Sequence, residues 1–150
     1  MTSYLLDTNI VLRFTDTNSS QYDLVINAIS QILKEGDQCF ITSQVVIEFW
    51  VVATRPIAVN GLGWTVEETE QAVKMLINQF KLLEETPNIF LLWLNLVITH
   101  NISGKHTHDL RIQAVMLAHN ISHILTLNPK DFIKIEGIHI IHPTSLNRKF

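Results

Sequence analysis

The sequence of 150 residues contains only one cysteine, Cys39. A single cysteine excludes an internal disulfide framework and a zinc site built from several thiolates, so we expect a reducing, cytoplasmic setting. The sequence also lacks a glycine-rich phosphate loop and a Gly-x-Ser-x-Gly element. Their absence argues against nucleotide binding by such a loop and against a serine hydrolase of that kind.

Long apolar runs and a strong net charge are missing as well. The longest apolar run, residues 89–98, is interrupted by Asn95, whereas a membrane-spanning helix needs about 20 apolar residues. Asp7 interrupts the first apolar run, so we expect neither a signal peptide nor a membrane anchor. The 14 acidic and 11 basic side chains give a net charge of −3. That charge argues against nucleic-acid binding over the whole surface and leaves a local basic patch open.

Short apolar segments alternate along the chain with segments of helical periodicity. The predicted strands are residues 4–6, 39–42, 88–91, 122–126 and 138–141. The predicted helices are residues 20–34, 43–53, 65–80, 93–100 and 107–119. This alternation indicates βαβ units around a parallel sheet. The sequence therefore predicts an α/β fold with four to five parallel strands flanked by helices, in one domain over residues 1–150.

Local chemistry predicts two helix starts and one loop. Ser43 is expected to cap the helix after the second strand, and Thr65 with Glu68 has the pattern of a capping box. Residues 60–63, Asn-Gly-Leu-Gly, predict a loop. This makes Trp64 the best candidate for an exposed aromatic side chain against which a partner helix could pack.

Four acidic residues stand among apolar neighbours, where an ionised carboxylate is costly unless it is paired or bound to a metal. They are Asp7, Glu48, Asp109 and Asp131. Asp7 follows the first strand, at the end where ligands bind in open α/β sheets, although it could also cap the following turn. Glu48 is bordered by valines on its helix, and this favours a functional role over a surface position or a structural ion pair.

Asp109 and Asp131 are ambiguous when each is considered alone. Asp109 can be a favourable charge in the first turn of a helix, and Asp131 can serve a turn. In a parallel sheet, however, these residues can converge with Asp7 and Glu48 on one edge. Clustered carboxylates repel one another unless a cation neutralises them. Oxygen ligands favour Mg²⁺ or Mn²⁺, and such a site can activate water for phosphodiester hydrolysis.

Four ordered blocks of sequence carry a resemblance to a known family. They are residues 5–9 (LLDTN), 42–49 (TSQVVIEF), 108–114 (HDLRIQA) and 124–132 (ILTLNPKDF). Together they resemble the PIN-domain family, most closely the small VapC-type ribonuclease toxins of prokaryotic toxin–antitoxin pairs. The resemblance extends from residue 4 to about residue 143. It implies a PIN-like fold, Mg²⁺- or Mn²⁺-dependent endoribonuclease activity, homodimerisation and neutralisation by a cognate antitoxin.

The resemblance also assigns roles to the central acidic residues. Asp7, Glu48 and Asp109 match the family's three acidic metal positions, although Leu110 stands where the family usually has a small residue. Asp7 and Asp109 would hold the metal directly or through water. Glu48 would complete the metal's shell or act as general base for the attacking water. Hydrolysis without attack by the 2′-hydroxyl would leave a 5′-phosphate and a 3′-hydroxyl.

The sequence offers two candidates for the fourth metal position. Asn128 stands where many family members carry an acid, and Asp131 lies close enough to replace it as a ligand or only to shape the turn. Polar positions beside the site are matched by Thr8, Asn9 and Thr126.

Two other enzyme classes are less well supported. A zinc site would need histidines at ligand spacing, and the closest pairs are His106 with His108 and His119 with His123. The second pair spans a predicted strand start and encloses no glutamate of the metalloprotease pattern. A phosphate-acceptor domain would need a prominent late lysine, and Lys130 lies within a turn.

The main alternative function is a catalytically weak or inactive PIN-fold module that binds an RNA or protein partner. The complete set Asp7, Glu48 and Asp109 argues against it, because a module without activity has no need of mutually repelling acids. The same repulsion predicts that Asp7→Asn or Asp109→Asn leaves the metal-free protein at least as stable as the wild type.

Overall fold

The computed structural model describes residues 1–146, which form five strands and six α-helices. The strands are β1 (Ser3–Leu6), β2 (Gln38–Ile41), β3 (Lys81–Leu82), β4 (His123–Leu125) and β5 (His139–Ile141). The helices are α1 (Thr8–Thr15), α2 (Tyr22–Lys34), α3 (Ser43–Thr54), α4 (Val66–Gln79), α5 (Asn88–Thr99) and α6 (His106–His119). Three short 3₁₀ turns cover Ile57–Val59, Pro129–Asp131 and Pro143–Ser145. The predicted α/β class and the parallel sheet are confirmed.

The five strands form one parallel sheet in the order β3-β2-β1-β4-β5. Tyr4 at the centre pairs with Cys39 of β2 on one side and with His123 of β4 on the other. The chain leaves β1 towards β2 and leaves β4 towards β5, in opposite directions. A crevice therefore opens beyond the carboxyl ends of β1 and β4, where open α/β sheets bind their ligands.

The core lies between the central strand and the helices that cover the sheet. Leu5 and Leu6 of β1 are completely buried, as are Ile10 of α1, Val25 of α2 and Phe49 of α3. Because both faces of a parallel sheet are covered by helices, its strands are apolar throughout rather than alternating. This packing holds the residues after β1 and β4 in fixed positions.

The predicted third strand is wrong. Residues 88–91 belong to α5, which is one continuous helix, and the third strand is the two-residue segment Lys81–Leu82. A short apolar run such as residues 89–91 does not distinguish a strand from a helix by periodicity. The true strand lies at the edge of the sheet and both of its residues are exposed, so it lacks the apolar pattern of a central strand.

Two predictions around α3 also need correction. The N-cap is Thr42, whose hydroxyl accepts a hydrogen bond from the N–H of Val45, and Ser43 is the first helical residue. Trp64 is half-buried rather than exposed, and its ring packs edge-to-face on Phe49 at 6.1 Å between centroids. The capping box of Thr65 and its partner at the start of α4 is confirmed.

Helix α5 is the most apolar helix among residues 1–146, yet Ile89 is its one buried residue. Phe90, Leu91 and Ile98 are 59%, 65% and 69% exposed. We call this surface, together with Leu94, the α5 face. No helix in the described part of the chain is both long and apolar enough to cross a membrane.

Candidate metal centre

Asp7 lies at the junction of β1 and α1, in the crevice between the ends of β1 and β4. It is the N-cap of α1, and its Oδ1 accepts a hydrogen bond of 2.8 Å from the N–H of Thr8. Its Oδ2 accepts a second hydrogen bond of 2.7 Å from the hydroxyl of Thr126. The residue is buried. Asp7 therefore caps a helix and at the same time presents a carboxylate at the ligand-binding edge of the sheet.

The polar residues predicted beside the site form a network with Asp7. The Thr126 hydroxyl accepts hydrogen bonds from the Asn9 amide at 3.4 Å and from the backbone N–H of Asn128 at 3.0 Å. The Asn9 carbonyl oxygen in turn accepts from the N–H of Leu127 at 3.1 Å. This network joins the turn after β1 to the turn after β4. The carboxylate of Asp7 is therefore held in one orientation from both strands.

Glu48 reaches the same region from α3 and is half-buried. Its Oε1 accepts a hydrogen bond of 2.6 Å from the Thr8 hydroxyl, and its Oε2 accepts one of 3.3 Å from the Gln44 amide. The same Gln44 amide donates to the carbonyl of His108 at 2.8 Å. Thr8 thus connects Asp7 with Glu48, and Gln44 connects Glu48 with the start of α6.

Asp109 lies in the first turn of α6 and forms a cluster with two residues outside the predicted trio. Its Oδ2 is 3.3 Å from Nδ1 of His106, and ligand atoms of His106, Asp109 and Asp131 all lie within 4.8 Å of one another. We call these three residues the α6 cluster. Asp7 and Glu48 are not members of the α6 cluster. The charge of Glu48 nevertheless raises the pKa of Asp109, and the charge of Asp109 raises that of Asp7.

From the sequence, His106 was considered only as part of a zinc pair, and its contact with Asp109 was not predicted. The available signal was spacing, since residues three apart in a helix lie on the same face. Asp131 joins the cluster from the 3₁₀ turn Pro129–Asp131. Asn128, the other predicted candidate for the fourth ligand, is exposed at the start of that turn.

The two aspartates are both harder to ionise than a carboxylate in water. Burial raises the pKa of Asp7 from 3.8 to about 6, against the hydrogen bonds of Thr126 and Thr8, which lower it. The charges of Asp109 and Glu48 raise it further. The pKa of Asp109 is also raised, mainly by burial. The hydrogen bond with His106 lowers this pKa, whereas the charges of Asp131 and Glu48 raise it.

The basic residues around the site do not neutralise these acids. Among residues 1–146, no lysine or arginine nitrogen lies within 4.0 Å of the carboxylates of the four acids singled out from the sequence. The nearest guanidinium in this network, Arg111, pairs with Glu85 at 3.0 Å and contacts Gln44 at 3.2 Å. Carboxylate oxygens without a lysine or arginine partner are a donor set that suits a hard divalent cation. The residues present therefore fit such a cation.

A cavity of about 300 Å³ adjoins the α6 cluster. Its lining includes His106, Gln113, Lys130 and Asp131, together with other polar and apolar side chains. Lys130 thus lies beside the acids, whereas Arg111 lies on the other side of α6, in a groove with Glu48. Lys130 and Arg111 therefore lie beside different parts of the acidic site.

The histidines of the second zinc pair point to no shared site. His119 contacts the carbonyl of Glu84 at 2.7 Å. His123 lies in β4 and stacks with His139 at 4.7 Å between ring centroids. The two residues therefore have different partners.

The family model of the PIN domain matches residues 4–138. The chain belongs to the PIN-domain family. The members of this family are nucleases, and they generally use a divalent metal. No curated protein matches the sequence.

Several solved structures share the fold. The VapBC2 complex of Rickettsia felis, bound to a DNA fragment from its promoter, gives a TM-score of 0.69 at 17% identity, over 93% of this chain and 98% of that chain. VapBC-1 of nontypeable Haemophilus influenzae gives 0.67 at 22% identity, over 95% and 98%. VapC20 of Mycobacterium tuberculosis, a toxin that cleaves the sarcin-ricin loop, gives 0.59 at 10% identity, over 81% and 86%. At these identities the likeness shows the fold.

Proposed function

We propose that this protein is a metal-dependent endoribonuclease and the toxin of a toxin–antitoxin pair. The observation that carries the proposal is the buried carboxylate of Asp7, which lies at the ligand-binding edge of the sheet without a basic partner among residues 1–146. The charges of Asp109 and Glu48 raise the pKa of Asp7, and a bound cation would offset this repulsion. Membership of a family of nucleases supports hydrolysis of a nucleic acid.

RNA is the proposed substrate, and VapC20 supports this choice because it is a toxin that cleaves the sarcin-ricin loop. Several structurally similar proteins are toxin–antitoxin complexes, and they support a cognate antitoxin as partner. The cytoplasmic location stays a prediction of the sequence.

The proposed mechanism assigns separate tasks to the three acids. Asp7 and Asp109 would hold Mg²⁺ or Mn²⁺, with Asn128 or Asp131 as the fourth position. A cation held there would supply activation of water and stabilisation of phosphoryl oxygens. Glu48, which Thr8 and Gln44 hold in place, orients the attacking water or accepts its proton. The new bond joins the water oxygen to phosphorus as the bond from phosphorus to O3′ breaks, which leaves a 5′-phosphate and a 3′-hydroxyl.

The test is cleavage of total cellular RNA by the purified chain, with Mg²⁺ or Mn²⁺, with EDTA, and with two variants. Asp7→Asn removes the buried acid, and Asp23→Asn is the matched control on an exposed position of α2. We expect cutting that requires the cation, disappears in Asp7→Asn and persists in Asp23→Asn. If a folded, antitoxin-free protein binds RNA but cuts none with either cation, the non-cleaving binding module becomes the better description.

Homodimerisation is a separate part of the proposal, and the α5 face supports it. Contiguous exposed apolar surface of this kind is rare on monomers and is typical of interfaces. Leu91→Glu would place a charge in the middle of the α5 face, and Ile77→Glu would place one on α4, where the side chain is also exposed. We expect light scattering to show a monomer for the first variant and a dimer for the second. A dimer that survives Leu91→Glu would assign the interface to another surface.

A further inference from the structure

Two side chains of one face of α6, His106 and Gln113, line the cavity beside the acidic site, and Asp109 contacts His106 on the same face. His106, Asp109 and Gln113 are spaced i, i+3 and i+7, which places them on the same side of the helix. The His106 side chain is 46% exposed and that of Asp109 is 26% exposed. The imidazole therefore lies beside the carboxylate at the surface, where a cation from solvent can reach both.

The separations within the α6 cluster are close to those of ligands on one metal ion. An ion with bonds of about 2.1 Å holds its ligand atoms at most about 4.2 Å apart. Ligand atoms of His106, Asp109 and Asp131 lie within 4.8 Å of one another. Small side-chain movements therefore suffice to bring all three onto one ion. Asp131 is carried by a separate turn, so the cluster is assembled by the tertiary fold and not by one helix alone.

A second observation at the same cavity indicates that it is completed by something outside the chain. Gln113 is 1% exposed and lines the cavity with His106 and Asp131. Its amide N–H donates to the carbonyl of Ile133 at 2.8 Å, but its Oε1 is buried without a hydrogen-bond partner among residues 1–146. A buried acceptor without a donor is uncommon in native proteins. Water that accompanies a bound ion is one donor that can satisfy it.

We propose that His106 is a direct ligand of the divalent cation, together with Asp109 and Asp131, so that the site prefers a first-row transition ion such as Mn²⁺ to Mg²⁺. The inference rests on the proposed function in that it concerns the cation which that function requires. Imidazole nitrogen suits transition metals, whereas Mg²⁺ prefers oxygen ligands and retains its water. A nitrogen ligand therefore adds affinity for Mn²⁺ or Co²⁺ and little for Mg²⁺.

The experiment compares the metal-stripped, tag-free wild type with His106→Ala and His108→Ala. His108 is the matched control because it is an exposed histidine of the same helical turn outside the α6 cluster. Calorimetric titrations give the affinities for Mn²⁺, Co²⁺ and Mg²⁺. Pulsed EPR of the Mn²⁺ complex then detects a ¹⁴N coupling if an imidazole nitrogen is bound to the ion. Circular dichroism verifies that the variants are folded.

We expect ¹⁴N coupling in the wild type and in His108→Ala and its loss in His106→Ala. Loss of an outer partner of a metal ligand already costs 10- to 100-fold in affinity, so we expect His106→Ala to weaken Mn²⁺ binding at least about tenfold and Mg²⁺ binding much less. Mn²⁺ binding without nitrogen coupling, or with unchanged affinity in His106→Ala, would overturn the inference. In that case, loss of Mn²⁺ binding in Asp7→Asn would leave the proposed function standing. A wild type that binds none of the three ions contradicts both.

Discussion

The acidic site has two halves that differ in burial and in the groups that hold them. Asp7 is buried between β1 and β4 and receives hydrogen bonds from a backbone N–H and from the Thr126 hydroxyl. Asp109 and Asp131 lie on the first turn of a helix and on a 3₁₀ turn, beside an exposed histidine and a cavity. One half is therefore fixed by the core, and the other half can adjust.

In the proposed metal site, the two halves would meet different requirements. Asp7 would fix the position of the cation, because hydrogen bonds orient its carboxylate and burial raises its pKa to about 6. The α6 cluster would provide further ligands, because its three side chains lie close together on the accessible side. Loss of one donor should consequently matter more on the buried side than on the exposed side.

The largest predicted effect is on activity and separates the two halves directly. Asp7→Asn should lower the rate of RNA cleavage by about a thousandfold or more, because no other side chain takes its place and several kcal/mol of transition-state stabilisation are lost. Asp109→Asn should cost about 10- to 100-fold, because Asp131 and His106 remain. Initial rates with Mn²⁺ measure both effects. Equal losses would show that the halves are not different in this respect.

The second prediction concerns the dependence of stability on pH in EDTA. Between pH 3.8 and about 6, folded Asp7 keeps a proton that the unfolded chain has released. The contribution of Asp7 to the free energy of unfolding therefore falls as the pH rises through this window, by about 3 kcal/mol in total. Urea unfolding should show similar stability of wild type and Asp7→Asn at pH 4. At pH 7 the variant should be more stable, by up to that amount.

Asparagine can preserve the local contacts, since its carbonyl oxygen accepts from the N–H of Thr8 and its amide donates to Thr126. A variant that is markedly less stable than the wild type at pH 7 would therefore indicate that Asp7 serves the fold as a charged cap, and the desolvated metal ligand would be the wrong description.

The third prediction removes the donor that holds the buried half. Thr126→Val keeps the shape of the side chain but leaves Oδ2 of Asp7 without its hydrogen bond of 2.7 Å. We expect a loss of about 1.5–3 kcal/mol of stability at neutral pH, as for other hydrogen bonds to charged groups, and a further rise of the pKa of Asp7. Urea unfolding and NMR titration of the carboxyl carbon measure the two changes. Thr126→Ser retains the hydroxyl, and equal behaviour of both variants would dismiss this role.

The smallest predicted effect distinguishes the two candidates for the fourth ligand. Asp131→Asn should weaken Mn²⁺ binding by about tenfold, the usual scale for a weakened metal shell, because Asp131 belongs to the α6 cluster. Asn128→Ala should have a smaller effect, because Asn128 is exposed and contacts Thr126 through its backbone N–H. Calorimetric titration compares the two, and the reverse order would assign the fourth position to Asn128.

The features that could be predicted from the sequence are those whose environment is local. The position of Asp7 at the end of β1 could be predicted because a polar triplet directly follows an apolar strand. The cap of Thr65 could be predicted because a capping box is contained within four residues. The third strand could not be placed from the sequence. The true strand, β3, is short and exposed, whereas the apolar start of α5 resembles a strand. What such a surface contacts is decided by tertiary structure, which local sequence does not contain.

The same limit applies to contacts within the candidate site. The approach of Asp109 to Asp131 depends on how a turn after β4 lies against the start of α6, and periodicity carries no information about it. The i,i+3 spacing of His106 and Asp109 was visible, but a histidine near the surface has many roles. The distance of 3.3 Å between their side chains was needed to give the spacing a meaning.

The solitary thiol of Cys39 offers a practical consequence. It lies in β2, beside the central strand, and burial raises its pKa to about 12. Because the thiolate is the reactive form, alkylating reagents should modify Cys39 only in molecules whose sheet has opened. The rate of labelling in the native protein therefore reports how often the sheet opens. It would allow the effect of cations or a partner on those events to be followed without an introduced probe.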